Sequence, residues 1–100
     1  FRDLKIVVPH ACWPWVSLAC TAALRNLNLH LIPDYYIEMP GANEYVDWAN
    51  ARLGNQILFA SSYPGSGLIE AVNRYENLGF ATRDIRRQVM GQNAARLLGL

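Results

Sequence analysis

Three polar residues, His10, Asp34 and Ser62, each end a short apolar run with the composition of a buried β-strand. A neutral imidazole can act as a general base or bind a metal ion, and a carboxylate can hold a cation or orient a base. In parallel α/β architectures the carboxyl ends of the strands meet at one edge, where ligands bind. The three positions therefore predict one candidate site, although their spacing matches no short catalytic motif.

The elements that must position these residues form a repeat. The predicted strands are Lys5–His10, Leu29–Asp34 and Gln56–Ser62. Their starts lie about 24 and then about 27 residues apart, which is the length of a strand joined to a helix. Strands connected by helices pair in parallel, and both faces of such a sheet need covering. The alternation predicts an α/β fold.

Apolar residues at helical spacing follow each run. We predict a first helix with Pro14 in its first turn that continues to Leu27, a second from Tyr45 to Leu53 with Gly54 as its stop, and a third from the N-cap Ser66 through Tyr75 towards Gly79. A charged helix is predicted from the N-cap Thr82 to Gly91, and a last turn from Asn93 to Leu98 that closes at Gly99. These helices would cover the sheet.

The composition argues against several classes of function. The 100 residues are 52% hydrophobic and 17% charged with a net charge of +1, which describes one globular unit over residues 1–100. So small a net charge argues against nucleic acid or an anionic membrane as partner, and no apolar run is long enough to span a bilayer. Cys12 and Cys20 form no redox or zinc motif, so we expect a reducing, cytoplasmic setting. The start at Phe1 favours a piece of a longer chain.

Some loop residues leave alternatives open. The Gly65-Ser66-Gly67 loop precedes a helix and is either a phosphate cradle or a turn, and it lacks the P-loop lysine. The aromatic residues Trp13, Trp15, Tyr35 and Tyr36 either line a substrate pocket or anchor loops and core. His30 lies inside the second run, where alternation directs it away from its apolar neighbours and favours a structural or helix-facing role.

Three stretches carry a family resemblance: Ile6-Val7-Val8-Pro9-His10 with Trp13-Pro14-Trp15, then Ile57-Leu58-Phe59-Ala60-Ser61-Ser62-Tyr63-Pro64, and Asn93-Ala94-Ala95-Arg96-Leu97-Leu98-Gly99-Leu100. In this order they resemble the last third of the amidohydrolase-related metal-dependent hydrolases, in the branch with aminocarboxymuconate-semialdehyde decarboxylase and the resorcylate-type decarboxylases. The resemblance implies the C-terminal portion of a (β/α)8 TIM barrel, about strands six to eight. It also implies a divalent metal, usually zinc, and hydrolysis or decarboxylation of a small carboxylic acid.

The resemblance also assigns roles to single residues. His10 matches the strand-six histidine that faces the metal centre and is the expected catalytic residue. Trp13, Trp15 and Asp34 are candidates for binding the carboxylic-acid substrate because of their residue types and their positions at the strand ends and loops, not because of the resemblance. Ser62 falls where the family has its strand-eight metal aspartate, and a neutral hydroxyl cannot replace a carboxylate as an anionic ligand. The family's strand-one His-x-His pair and strand-five histidine have no counterpart in these residues, so this chain alone is expected neither to hold the metal nor to be active.

Two function classes follow from this pattern. The first is a metal-dependent hydrolase or decarboxylase whose metal is held by residues outside the chain. The second is a catalytically degenerate barrel that serves as a binding or interaction scaffold, because Ser62 replaces the aspartate. A phosphate-ligand binder that uses the Gly65-Ser66-Gly67 loop ranks third. A homo-oligomer is compatible with any of them, and three parallel strands with unpaired edges are expected to self-associate when isolated.

Overall fold

The computed structural model describes all 100 residues and begins with two parallel strands. Strand β1 spans Ile6–Pro9 and strand β2 spans Leu29–Ile32, in a register that pairs Ile6 with Leu29 and Pro9 with Ile32. The predicted third run also lies parallel to β2, on the side away from β1, but it pairs only through Leu31 and Ile57. The predicted parallel arrangement is therefore observed, with a third strand much shorter than expected.

The third run leaves the sheet after Leu58 because its next backbone N–H bonds to the C-terminal helical region instead of to β2. The Leu58 N–H donates to the Leu31 carbonyl at 2.9 Å, but the Phe59 N–H turns to the Val89 carbonyl at 2.9 Å. Val89 belongs to the C-terminal helical region, so this region takes over the pairing that a longer strand would have made. The segment up to Ser62 is extended without being part of the sheet.

Five α-helices surround these strands. They are α1 (Val16–Arg25), α2 (Asn43–Trp48), α3 (Leu68–Glu76), α4 (Arg83–Arg87) and α5 (Asn93–Leu97). Short 3-10 turns occupy His10–Cys12 and Asp34–Glu38, directly after the two strands. Two π-helical turns, Ala49–Leu53 and Gln88–Gln92, extend α2 and join α4 to α5. None of the helices combines the length and the apolar composition needed to cross a bilayer.

Several helix ends differ in detail from the predictions, and the first helix ends at Arg25 rather than Leu27. Pro14 precedes the first helix, whose N-cap is Trp15 in a non-helical conformation. Gly67, not Ser66, is the N-cap of α3. The predicted stop at Gly91 is wrong, because the π-helical turn carries the helical backbone through this position into α5. Gly54 does end the α2 region, but with a φ of −57° it is not the left-handed stop that glycine usually provides.

The start of α4 and the end of α5 agree with the predictions. The Thr82 hydroxyl accepts the Ile85 N–H at 3.1 Å and caps α4, as predicted. Gly99 follows α5 with a φ of +77°, a value that glycine adopts without steric cost. The last helical region therefore begins and closes where the sequence predicts.

The hydrophobic core lies between the strands and the helices. Sixteen buried residues form one cluster, and half of them come from α1, α2 and the π-helical turn that extends α2. Leu31 of β2, Ile57 of the third run, and Tyr75, Phe80 and Val89 from the C-terminal part of the chain also belong to it. Leu31 belongs to this core and Leu29 packs against it, so His30 lies on the opposite face of β2. The core therefore holds the sheet against its helices and leaves the strand ends free for other contacts.

Candidate functional site

The chain bends sharply at all three predicted strand ends. His10, Asp34 and Ser62 have φ values of 60°, 49° and 61°, in the left-handed region that L residues rarely adopt. Each such residue costs on the order of 1–3 kcal/mol and persists only where its surroundings hold it. Strain of this kind at three converging positions is typical of functional sites, and the contacts that hold the three residues define this one.

His10 and Asp34 form a hydrogen-bonded pair. The Asp34 Oδ2 atom lies 2.7 Å from Nδ1 of His10 and accepts the His10 backbone N–H at 3.2 Å. Its Oδ1 atom accepts the Tyr36 N–H at 3.1 Å. The side chain of Asp34 is 6% exposed and that of His10 is 57% exposed. A buried carboxylate therefore orients an accessible imidazole and leaves its Nε2 atom free for a reacting partner.

Asp34 is in turn held by the rest of the site. The peptide group between Asp34 and Tyr35 is bound at both ends: its carbonyl accepts the Tyr75 O–H at 3.0 Å, and its N–H donates to the Ser62 Oγ at 3.0 Å. Burial, together with the nearby charge of Asp34, raises the pKa of Tyr75 well above its ordinary value. The phenol thus remains a protonated donor, and the strand ends of His10, Asp34 and Ser62 form one connected network.

The turn that carries His10 has its own support. Tyr45 is fully buried and its O–H donates to the Ala11 carbonyl at 2.7 Å. Burial is the main cause that raises the pKa of Tyr45 above its ordinary value. Ala11 and Cys12 are left-handed as well, with φ values of 47° and 62°. Tyr45 of α2 therefore stabilises the strained turn through this hydrogen bond.

An aromatic wall, formed by Tyr36 and Trp13, lies beside the imidazole. The Tyr36 ring centroid is 4.6 Å from that of His10, and the Trp13 ring meets the Tyr36 ring edge-on at 5.8 Å. The Trp13 indole N–H donates to the Pro40 carbonyl at 2.9 Å, which fixes its orientation. The structure thus brings the predicted catalytic residue, His10, together with two of the three substrate-binding candidates, Asp34 and Trp13.

Trp15, the remaining substrate-binding candidate, is arranged differently. Its side chain is two-thirds exposed and pairs with no other aromatic ring. It lines a shallow cleft with Pro14, Ser17, Leu18 and Glu44. Trp15 therefore does not join the aromatic wall, and its assignment to a substrate site stays a prediction.

The loop after the third run is tied to the rest of the site by Arg74 of α3. The Arg74 Nε donates to Glu38 at 2.6 Å, its terminal nitrogens lie 3.3 Å from the Ser66 Oγ, and its guanidinium stacks on the Tyr35 ring at 5.2 Å. Ser66 is 6% exposed because it turns inwards to this guanidinium rather than capping the helix. Arg74 therefore joins the two loops that begin at Asp34 and Ser62.

The donor atoms of this chain do not fit a metal site by themselves. Both carboxylate oxygens of Asp34 are occupied by His10 and Tyr36, and the Ser62 hydroxyl accepts the Tyr35 N–H. No group of three histidine, cysteine or acidic side chains is arranged to hold an ion. The Nδ1 atom of His10 is bound to Asp34, so Nε2 is the nitrogen of this imidazole that stays free for a ligand.

Parallel strands backed by helices, with polar residues gathered at the strand ends, are typical of an α/β barrel domain, whose ligand-binding groups lie at the carboxyl ends of the strands. The family model described as Amidohydrolase matches residues 1–100, and the chain belongs to that family. This confirms the predicted resemblance at the level of the superfamily, a group of hydrolase type.

A solved structure provides a second comparison. The chain is similar to an uncharacterized TIM-barrel protein from Bordetella bronchiseptica, with 35% sequence identity and a TM-score of 0.92. The match covers 99% of this chain and 35% of that protein, so the chain spans about a third of its length. The comparison with curated proteins found no match. The α/β fold prediction is thus confirmed at the level of a close likeness to part of a TIM barrel.

Sequence reasoning missed two residues of the network. The sequence pattern predicts Tyr75 only as an apolar residue on one face of a helix. In the structure its O–H donates to the Asp34 carbonyl. The available signal is general: a tyrosine predicted to be buried needs a hydrogen-bond partner, and a strand-end carbonyl is a common one. Arg74 gives no such signal, because its partners come from two distant loops.

Proposed function

We propose that the protein carrying this chain is a hydrolase that acts on a small carboxylic acid, with His10 as its general base. The observation that carries the proposal is the 2.7 Å contact between the buried Asp34 carboxylate and Nδ1 of an imidazole whose other side is exposed. A carboxylate in this position favours the tautomer with the proton on Nδ1. The lone pair of Nε2 is then available to take a proton.

The proton transfers follow from this arrangement. As a water oxygen adds to the electrophilic carbon of the substrate, Nε2 takes one water proton, and the resulting imidazolium is stabilised by Asp34. Nε2 then returns the proton to the leaving group, so the residue ends in its starting state. If the reaction is a decarboxylation, an imidazolium already protonated on Nε2 gives its proton to the carbon that loses carbon dioxide, and solvent restores it.

The aromatic wall suggests the shape of the substrate. Tyr36 and Trp13 present ring surfaces next to His10, and such surfaces favour planar groups. Aromatic and enol carboxylic acids have this shape, and they are the substrates of the branch that the sequence resembles. We therefore propose that the protein belongs to that branch. We also propose that its three parallel runs are strands six to eight of the barrel.

The cofactor and setting are part of the proposal. The divalent metal of the family, usually zinc, is assigned to residues outside these 100, since the chain's own donors do not form a site. We propose a cytoplasmic location. We propose a small carboxylic acid as the partner, and no nucleic acid. The oligomeric state of the whole protein, including a homo-oligomer, is measured separately.

One observation favours a second candidate function. Ser62 stands where the resemblance expects a carboxylate, and a barrel that has lost a metal ligand can persist as a binding scaffold. This alternative predicts that His10 is dispensable. It also predicts ligand binding without turnover.

The test uses the whole protein and a panel of aromatic and enol carboxylic acids. His10→Ala should lower kcat about 10²–10⁴-fold, the usual contribution of a general base. Added imidazole should restore part of that rate, because the wild-type ring is 57% exposed and its removal leaves an accessible space. Unchanged turnover in His10→Ala would reject His10 as the general base. No turnover by the wild-type protein on any acid, while ligands still bind, would support the scaffold instead.

A further inference from the structure

Ser62 stands at the family's metal-ligand position, yet its contacts serve another purpose. Its Oγ atom lies 3.0 Å from the Tyr35 nitrogen and accepts that N–H. We propose that Ser62 is a positioning residue that fixes the peptide after Asp34 and, through Asp34, the orientation of the His10 imidazole. The proposal rests on the proposed function only where it concerns the rate of reaction.

The geometry of one peptide group carries the argument. The peptide between Asp34 and Tyr35 is held at its N–H by Ser62 and at its carbonyl by the Tyr75 O–H, each at 3.0 Å. With both ends bound, this peptide plane cannot rotate without losing a hydrogen bond. Rotation of this plane changes ψ of Asp34 together with φ of Tyr35, so the two contacts restrain the backbone on the C-terminal side of Asp34.

The strained backbone of Asp34 explains why such restraints are needed. Its φ of 49° lies in the left-handed region, where a residue must be held by its surroundings. The carboxylate of the same residue makes all the contacts to His10, from Oδ2 to Nδ1 at 2.7 Å and from Oδ2 to the backbone N–H at 3.2 Å. The Asp34 Oδ1 atom also accepts the Tyr36 N–H at 3.1 Å, so a shift of the peptide before Tyr36 disturbs this anchor of the carboxylate, and the imidazole loses its fixed orientation.

The chemistry of the hydroxyl also fits this role better than that of a carboxylate. A serine accepts the Tyr35 N–H without adding charge, whereas an aspartate at position 62 would bring a second anion next to the turn that carries Asp34. The side chain of Asp34 is 6% exposed, so water would screen that repulsion poorly. The exchange of aspartate for serine therefore suits a site in which Asp34 acts on His10.

The test compares four variants of the whole protein at position 62. Ser62→Ala and Ser62→Gly both remove the acceptor. Glycine also removes the steric cost of the left-handed backbone, so Ser62→Gly is the variant to compare if Ser62→Ala does not fold. Ser62→Asn is the rescue variant, because asparagine tolerates a positive φ and its amide oxygen accepts an N–H without charge. Ser62→Asp restores the family's carboxylate.

Two readouts separate positioning from a structural role. The first is the downfield proton NMR signal of the His10 Nδ1–H, assigned by its absence in His10→Ala, which reports the bond to Asp34 without any turnover. The second readout is whether each variant changes kcat or KM. We expect alanine and glycine to weaken the NMR signal and lower kcat about 10- to 100-fold at similar KM. We expect asparagine to restore both.

Each outcome then has one meaning. A full NMR signal in both Ser62→Ala and Ser62→Gly overturns the proposal, even if turnover falls. A Ser62→Asp variant that binds an additional equivalent of zinc and turns over faster than wild type also overturns it, because position 62 would then act as a ligand position. A weakened signal combined with unaffected turnover in His10→Ala upholds the positioning by Ser62 and rejects the general base, so the two proposals fail separately.

Discussion

Asp34 accepts two hydrogen bonds from His10 at a single oxygen atom, one from the imidazole Nδ1 at 2.7 Å and one from the backbone N–H at 3.2 Å. The ring is therefore fixed relative to its own backbone as well as to the neighbouring strand. Because Asp34 is buried and the ring is exposed, the pair presents an oriented Nε2 atom to the face where the aromatic wall lies.

The first prediction concerns the charge of Asp34. Asp34→Asn keeps the size of the side chain and tolerates the left-handed backbone, but it removes the negative charge that favours the Nδ1–H tautomer. We expect kcat to fall roughly 10²–10⁴-fold with a similar KM. The matched control is Asp47→Asn, an exposed position on α2, which should retain full activity. An Asp34→Asn enzyme with wild-type turnover would contradict the orienting role.

The second prediction concerns the aromatic wall. Tyr36→Leu removes the ring that packs against His10, while Tyr36→Phe retains it. An aromatic contact of this kind contributes about 0.5–1.5 kcal/mol, so we expect the leucine variant to raise KM for aromatic acids roughly 2- to 10-fold. The phenylalanine variant should match wild type in steady-state kinetics. Equal KM values for the leucine and phenylalanine variants would show that the ring does not contact substrate.

The third prediction concerns stability at high pH. Burial and the charge of Asp34 raise the pKa of Tyr75 in the folded state, so the unfolded chain loses this proton at a lower pH than the folded one. This contribution to stability is complete below pH 10, the ordinary tyrosine pKa, and is lost as the pH rises beyond it. The loss is at most about 1.4 kcal/mol per pH unit.

Thermal unfolding followed by circular dichroism from pH 8 to pH 11 checks this prediction. Tyr75→Phe should be less stable at pH 8 by about 1 kcal/mol, because the Asp34 carbonyl loses its donor. Its Tm should fall less steeply above pH 10 than that of wild type. Tyr45, whose pKa is also raised by burial, should keep some slope in both proteins. Identical slopes would mean that Tyr75 titrates normally.

The fourth prediction concerns Asn93, which opens the C-terminal motif. It is fully buried, and its Nδ2 donates to the Gly54 carbonyl at 2.8 Å and to the Ile57 carbonyl at 2.9 Å. Asn93→Asp replaces both donors by a carboxylate oxygen, so we expect a loss of roughly 2–4 kcal/mol in the free energy of unfolding. Asn73→Asp, at an exposed position of α3, is the matched control for denaturant titration. Equal losses would contradict this role.

Much of the frame is predictable from the sequence because it depends on periodicity. The three strand-and-helix repeats, the cap at Thr82 and the gathering of His10, Asp34 and Ser62 follow from patterns that act over a few residues. The continuation of the helix through Gly91 does not follow, because a π-helical turn depends on packing with distant elements, here including the bond from Phe59 to Val89.

The site itself is only partly predictable, for a similar reason. His10 and Asp34 are recognisable as strand-end residues, but their pairing depends on left-handed backbone conformations that no periodicity encodes. Ser62 is the opposite case: the family resemblance directs attention to a lost metal ligand, while the structure shows a hydroxyl that accepts the Tyr35 N–H. A contact between residues that are far apart in sequence needs coordinates to be seen.

The central claim is that His10 and Asp34 act as one catalytic unit, and a double-mutant cycle on the whole protein tests it most directly. The quantities to measure are kcat/KM for wild type, His10→Ala, Asp34→Asn and the double variant. If Asp34 acts through His10, the double variant is no slower than His10→Ala alone, since the carboxylate has no ring left to orient. Losses that multiply between the two positions, or a His10→Ala enzyme with wild-type kcat/KM, would contradict the account.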